Sequence, residues 1–125
     1  MTRKDMTKQV VLVVDDEAIL RLNATEALHD VGCKTYEASH AAEAMAMIAS
    51  HPEISVLFTD INMPGEEDGL ALAGRVGIAR PDIQLILTSG RESPTELPGA
   101  GQFVPKPYAM ETIAEMVRAH PRPDR

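Results

Sequence analysis

Three short runs of nearly unbroken aliphatic residues constrain this chain more than any other feature: residues 10–14 (VVLVV), 55–59 (SVLFT) and 83–88 (IQLILT). Each has the length of one strand. They are close to continuous rather than alternating, which is how parallel strands covered on both faces read. Weaker candidates lie at residues 35–38 and 102–104. Helical periods fill the gaps. Leu20, Ala24, Ala27, Leu28 and Val31 recur at helical spacing, as do Ala41, Ala44, Met45 and Ile48 behind a Ser39 cap. A third helix is expected around residues 70–79 and a last one carrying Met110, Ile113, Ala114 and Val117. Strand and helix alternating in a chain this short predict an α/β fold, an open doubly wound sheet with right-handed crossovers. Function in such sheets sits at the carboxyl ends of the strands.

The 125 residues suit a single domain, residues 1–125, with its core at about 9–120, and no internal repeat or linker divides them. The tail 121–125, with its two prolines, reads as a frayed end. A hydrophobic share of 44% and a charged share of 25% are those of a chain that folds alone. The formal net charge of -7 argues against direct nucleic-acid binding, which needs clustered Lys and Arg. The single cysteine, Cys33, excludes an internal disulfide. Residues 1–9 are too polar for a signal peptide, and no apolar run approaches the roughly 20 residues of a membrane span. The expected location is cytoplasmic, and the start at Met1 reads as a native beginning.

Asp15 and Asp16 stand directly after the first run, with Glu17 next, so three acids gather at one strand end. Capping of the following helix would account for one of them. Packing acids together raises the cost of ionising each, and a divalent cation offsets it; hard oxygen ligands suit Mg²⁺. Asp60 follows the third run in the same way and comes beside Asp15 and Asp16 if the first and third strands are neighbours. Ile61-Asn62-Met63-Pro64-Gly65 then reads as a loop, leaving Asp60 at an exposed turn. A carboxylate there can attack phosphorus to form an acyl phosphate. Ser89 ending the fourth run and Lys106 following the fifth add two donors for phosphate oxygens. Taken singly, each is an ordinary turn or surface residue.

Four segments taken in order are far more specific than any one of them. Val11-Leu12-Val13-Val14-Asp15-Asp16-Glu17; Leu57-Phe58-Thr59-Asp60-Ile61-Asn62-Met63-Pro64-Gly65 with Asp68-Gly69; Leu85-Ile86-Leu87-Thr88-Ser89-Gly90; and Phe103-Val104-Pro105-Lys106-Pro107 together resemble the response-regulator receiver domain of two-component signalling. The resemblance covers nearly the whole chain. It implies a flavodoxin-like five-stranded parallel sheet of order 2-1-3-4-5. It implies that Asp60 takes a phosphoryl group from a histidine kinase or a histidine phosphotransfer protein. Asp16 and Asp60 would ligate Mg²⁺ with the backbone carbonyl of Asn62, and Asp15 would act largely through water. Ser89 would hydrogen-bond the phosphoryl group, Lys106 would pair with it, the Lys106–Pro107 bond would be cis, and Phe103 would be the switch aromatic. Thr88 competes for the hydroxyl role, but neighbours on a strand face opposite ways and Ser89 precedes the small Gly90. Such a domain catalyses its own modification and is not an enzyme in the ordinary sense; its downstream protein partner is not legible.

The chain departs from the family pattern between Ser89 and Lys106. Only residues 90–105 separate them, and these include Pro94, Pro98, Gly99, Gly101 and Pro105. The fourth helix is expected to be shortened or replaced by a loop. This stretch resembles a subset of stand-alone receivers that serve histidine kinases of the HWE and HisKA2 type. A Mg²⁺-dependent phosphatase with an aspartyl-phosphate intermediate would use the same acids and Lys, but it usually needs a second acid where Asn62 stands, and a cap. A flavin module on this fold is disfavoured by two Phe, two Tyr and no Trp. His29, His40, His51 and His120 share no metal-like spacing. Cys33 reads as a packed thiol and Met45, Met47, Met110 and Met116 as core filling. Arg91 reads either as a solvated loop charge or, two places beyond Ser89, as the position where the resembled family tunes phosphoryl lifetime.

Overall fold

The computed structural model describes residues 9–91 and 93–120, and every aliphatic run has become a strand. The order is β1 (Val10–Val14), α1 (Ala18–Asp30), β2 (Lys34–Ala38), α2 (Ala41–Ser50), β3 (Val56–Asp60), α3 (Gly69–Ala79), β4 (Gln84–Ser89), β5 (Gln102–Pro105) and α4 (Met110–Ala119). The five strands form one sheet in the order β2-β1-β3-β4-β5, and all four pairings are parallel. The central strands β1 and β3 are buried along their whole length, as the unbroken Val and Leu of β1 and the Val56-Leu57-Phe58 of β3 require. The edge strand β2 buries only Ala38, which is why its sequence signal is weak.

Alternation along the strands sorts the core into two layers. Leu12, Val14, Leu57, Leu85 and Leu87 pack with α2 and α3 residues such as Ala44, Ile48, Leu72 and Val76. Val11, Val13, Val56, Phe58 and Ile86 face Ala24 and Leu28 of α1 and Ile113 and Val117 of α4. Burying one such Leu or Ile side chain stabilises the fold by about 1.5–3 kcal/mol. Met45 and Met47 pack against the first layer, and Met110 and Met116 against the second.

Two boundaries differ from the sequence expectation. Asp60 is the last residue of β3 rather than the first residue after it, whereas Ser89 ends β4 as expected. The cap of α2 is His40, not Ser39: the His40 side chain accepts from the backbone N–H of Glu43, while the Glu43 carboxylate accepts from the N–H and hydroxyl of Ser39. Among the described residues of 90–101 none is helical. Pro94 and Pro98 lack the N–H a helix needs. Gly99 takes φ +51°, and a turn closes where Gly101 N–H donates to Pro98 O at 2.9 Å. Leu97 and Phe103 both pack against the α2–α3 side of the core. The crossover from β4 to β5 is thus made by a loop.

Candidate functional site

Strand register builds the site. Val14 pairs with Thr59, so Asp15 stands one step on beside Asp60; Asp60 pairs with Thr88, and Ser89 with Pro105, just ahead of Lys106. Four strands therefore deliver Asp15, Asp60, Ser89 and Lys106 to one row at the carboxyl edge of the sheet. One oxygen from each of Asp15, Asp16 and Asp60 can lie within 4.8 Å of the others. The Lys106 ammonium sits between two of them, 3.4 Å from Asp15 Oδ2 and 3.3 Å from Asp60 Oδ2.

The acids of the first strand end are not used up by the helix that follows. Glu17 occupies the N-cap of α1 with no side-chain cap bond. Asp15 Oδ1 accepts from the Glu17 N–H at 2.9 Å, which shapes the turn and leaves Oδ2 facing Lys106. Asp16 is exposed, whereas Asp15 and Asp60 are only 4% and 5% exposed.

The burial of Asp60 overturns the exposed turn expected from its loop. α3 begins against it: Gly69 N–H donates to Ile61 O at 2.9 Å, and only a residue without a Cβ fits there. Asp68 caps that helix by accepting from the Ala71 N–H at 2.9 Å. Burial raises the Asp60 pKa above the ordinary carboxylate value; the Asn62 N–H, 3.2 Å from Oδ1, and Lys106 pull the other way, and Asp15 adds to the rise. For Lys106, burial works against the charge, but Asp15 and Asp60 outweigh it and hold the pKa above the usual lysine value.

Ser89 and Thr88 diverge as alternation demands. The Ser89 hydroxyl donates to Asn62 Oδ1 and accepts from the Arg91 N–H at 3.0 Å. Thr88 Oγ1 is buried with no hydrogen-bond partner among the described residues. Phe103 is partly buried against the α2–α3 side of the core and pairs in register with Leu87. The Lys106–Pro107 bond is cis. Tyr108 follows, its ring edge-on to Phe58 at 5.3 Å. The four histidines are spread over helix ends, and Cys33 is a buried thiol pushed up to about 11 by that burial.

Sequence reading missed Arg21. Its Nη1 donates to the backbone carbonyl of Asp15 at 2.7 Å and its Nε to Glu37 Oε1 at 3.0 Å. The available signal was a cation in the first turn of a helix, where the dipole favours acids.

The donor set fits a small dication. Its oxygens are hard, and three carboxylates against one ammonium leave a formal excess of two negative charges when all are ionised.

Residues 11–118 match the family model described as the response regulator receiver domain. The sensor kinase CckA of Brucella abortus is 31% identical over 114 residues, covering 86% of this chain and 12% of that protein. The response regulator MprA of Mycobacterium avium is 32% identical over 115 residues, covering 87% of this chain and 49% of the relative. This chain thus spans at most about half the length of either. Among solved structures, the receiver domain from the hybrid histidine kinase CckA superposes with a TM-score of 0.77 at 28% identity, covering 89% of this chain and 97% of that one. A signal receiver domain from Pseudomonas fluorescens reaches 0.82 at 18% identity, a likeness of fold. No helix among the described residues is long and apolar enough to cross a membrane.

Proposed function

This chain belongs to the response regulator receiver domain family of two-component systems, and we propose that Asp60 is its phosphoacceptor, supplied by a histidine kinase or a histidine phosphotransfer protein. The observation that carries this reading is the ammonium of Lys106 set between the carboxylates of Asp15 and Asp60, with Asp16 completing the acidic group. Asp16, Asp60 and the backbone carbonyl of Asn62 would hold Mg²⁺, and Asp15 would reach it largely through water. When bound, the ion neutralises charge on the transferred phosphoryl oxygens.

The residues divide the rest of the work. An oxygen of Asp60 forms the new P–O bond as the donor's P–N bond breaks, the electron pair staying on the imidazole nitrogen. The Asn62 N–H steadies Oδ1 and Lys106 steadies Oδ2 beforehand. Lys106 and the Ser89 hydroxyl then donate to the phosphoryl oxygens, as charge-assisted bonds. Ser89 must leave Asn62 Oδ1 to do so. Asn62 in place of a second acid supports this over the phosphatase alternative. The helix-free crossover supports a donor of the HWE or HisKA2 class, which phosphotransfer profiling against kinases of several classes would check.

Incubation with acetyl phosphate and Mg²⁺ should add one hydroxylamine-labile phosphoryl group, seen by intact-mass measurement. Asp60→Asn should add none. Labelling of that variant at the wild-type rate rules the assignment out.

A further inference from the structure

We propose that Arg21 is a positioning residue for the Mg²⁺ site, holding the Asp15–Asp16 turn in its ligating shape from behind; this rests on the metal reading above.

The need for such a residue arises where β1 stops. The parallel ladder with β2 continues as far as Asp15 N–H, which donates to Ala38 O at 3.2 Å. Beyond that point the two chains part, β1 into the turn before α1 and β2 toward α2. The Asp15 carbonyl is taken up instead by Arg21 Nη1, at 2.7 Å. The peptide that carries this carbonyl also carries the backbone nitrogen of Asp16. Fixing its plane fixes the direction in which Asp16 leaves the strand.

The guanidinium is itself held. Its Nε donates to Glu37 Oε1 on β2 at 3.0 Å, and the Arg21 side chain is only 20% exposed. One planar fork thus joins the end of β1, the edge strand and the first turn of α1. A lysine offers a single flexible head and cannot reproduce two bonds at fixed angles. The position is also one where a cation is disfavoured by the helix dipole, so its presence needs a local reason. Groups that orient metal ligands without touching the ion typically change affinity by about 10–100-fold when removed.

Charge and positioning predict opposite signs. Deleting a cation close to an acidic site should by itself tighten Mg²⁺ binding. Losing the fork should weaken it. The test is Mg²⁺ affinity by calorimetry on the wild-type chain and on Arg21→Lys, Arg21→Gln and Glu37→Gln, with metal-free thermal melts to confirm folding. Asp16→Ala serves as the control that abolishes the site. Both Arg21 variants are expected to bind Mg²⁺ about tenfold more weakly, at the low end of that range. Glu37→Gln should have a smaller effect, and the Arg21→Gln/Glu37→Gln pair should be no worse than Arg21→Gln alone. Arg21→Gln binding as tightly as wild type or tighter overturns the inference, whatever its melting temperature. Failure of the wild-type chain to bind Mg²⁺ overturns the metal reading itself, and the inference with it.

Discussion

A Cβ placed on Gly69 would lie 2.1 Å from the carbonyl oxygen of Asp60 and 2.8 Å from its carbonyl carbon. Both obstacles are backbone, so neither can swing aside, and Gly69→Ala must push α3 away from the end of β3. Overpacking of this kind costs about 1–3 kcal/mol, sometimes more. Because the displaced atoms belong to Asp60, the acetyl phosphate reaction should slow as well. Urea unfolding and phosphorylation kinetics on the same variant check both, and an unchanged midpoint would contradict the fit of this helix to its strand.

In metal-free buffer, stability should respond to pH through Asp60. Burial raises its folded-state pKa above the unfolded one. The protonated form therefore suits the fold, and the stability associated with it is complete below the ordinary carboxylate pKa and lost as pH climbs through the raised value. Asp60→Asn, permanently neutral, escapes this loss. With chelator present, the variant should melt higher than wild type near neutral pH, and the gap should narrow as pH falls into the carboxylate range. A gap that widens on acidification contradicts burial as the dominant influence.

The two adjacent hydroxyls of β4 should behave oppositely. Thr88 Oγ1 is buried without a partner among the described residues. Thr88→Val keeps the shape and removes that polar atom, so it should be neutral or stabilising and leave phosphorylation intact. Ser89→Ala removes a donor to the charged phosphoryl group and should slow the acetyl phosphate reaction about ten- to thirtyfold, the equivalent of roughly 1.5 to 2 kcal/mol. The reverse ranking of the two variants would move the hydroxyl role to Thr88.

Cys33 is expected to be inert while the chain is folded. Its thiol is buried and its pKa is pushed up to about 11, so little thiolate exists at neutral pH. Ellman's reagent should react slowly with the native chain and at once in denaturant. Rapid native labelling would show the packing around Leu28 and Cys33 to be looser than described.

What the sequence made legible follows from how each feature is encoded. The central strands announce themselves because both faces are covered, so every residue of β1 is Val or Leu. β2 has one open side and a mixed sequence, and only its pairing with β1 defines it. The acids, Ser89 and Lys106 could be placed because carboxyl ends of parallel strands converge. Their depth could not be placed. Asp60 was expected at an exposed turn, and its burial comes from the close approach of α3 at Gly69, a long-range fit that Asp68-Gly69 hints at but does not specify. Arg21 escaped notice for a similar reason: its acceptors are the Asp15 carbonyl and Glu37, and only the register of β1 with β2 brings those together.

The last prediction concerns residues 91–101 as the moving part. Its prolines and glycines oppose a helix, and none is formed among its described residues. A groove of about 560 Å³ lies between Ser93, Pro94, Thr95 and Glu96 on one side and Asn62, Leu70 and Ser89 on the other. Ser89 bonds Asn62 Oδ1 in this state, and the Arg91 N–H rides on the same hydroxyl. If a phosphoryl group on Asp60 draws the Ser89 hydroxyl inward, Arg91 follows and the loop is pulled toward the groove. Phe103, which packs on the same side of the core as Leu97 of this loop, is then drawn further inward. Such a loop-ordering switch is biased by one new charge and its donors. Hydrogen exchange with and without beryllofluoride, a mimic of the phosphoryl group, should show slower exchange across residues 91–103 on activation. Asn62→Ala, which removes the competing acceptor for Ser89, should lower the beryllofluoride concentration needed. Equal protection of the loop in both states would exclude this segment as the switch.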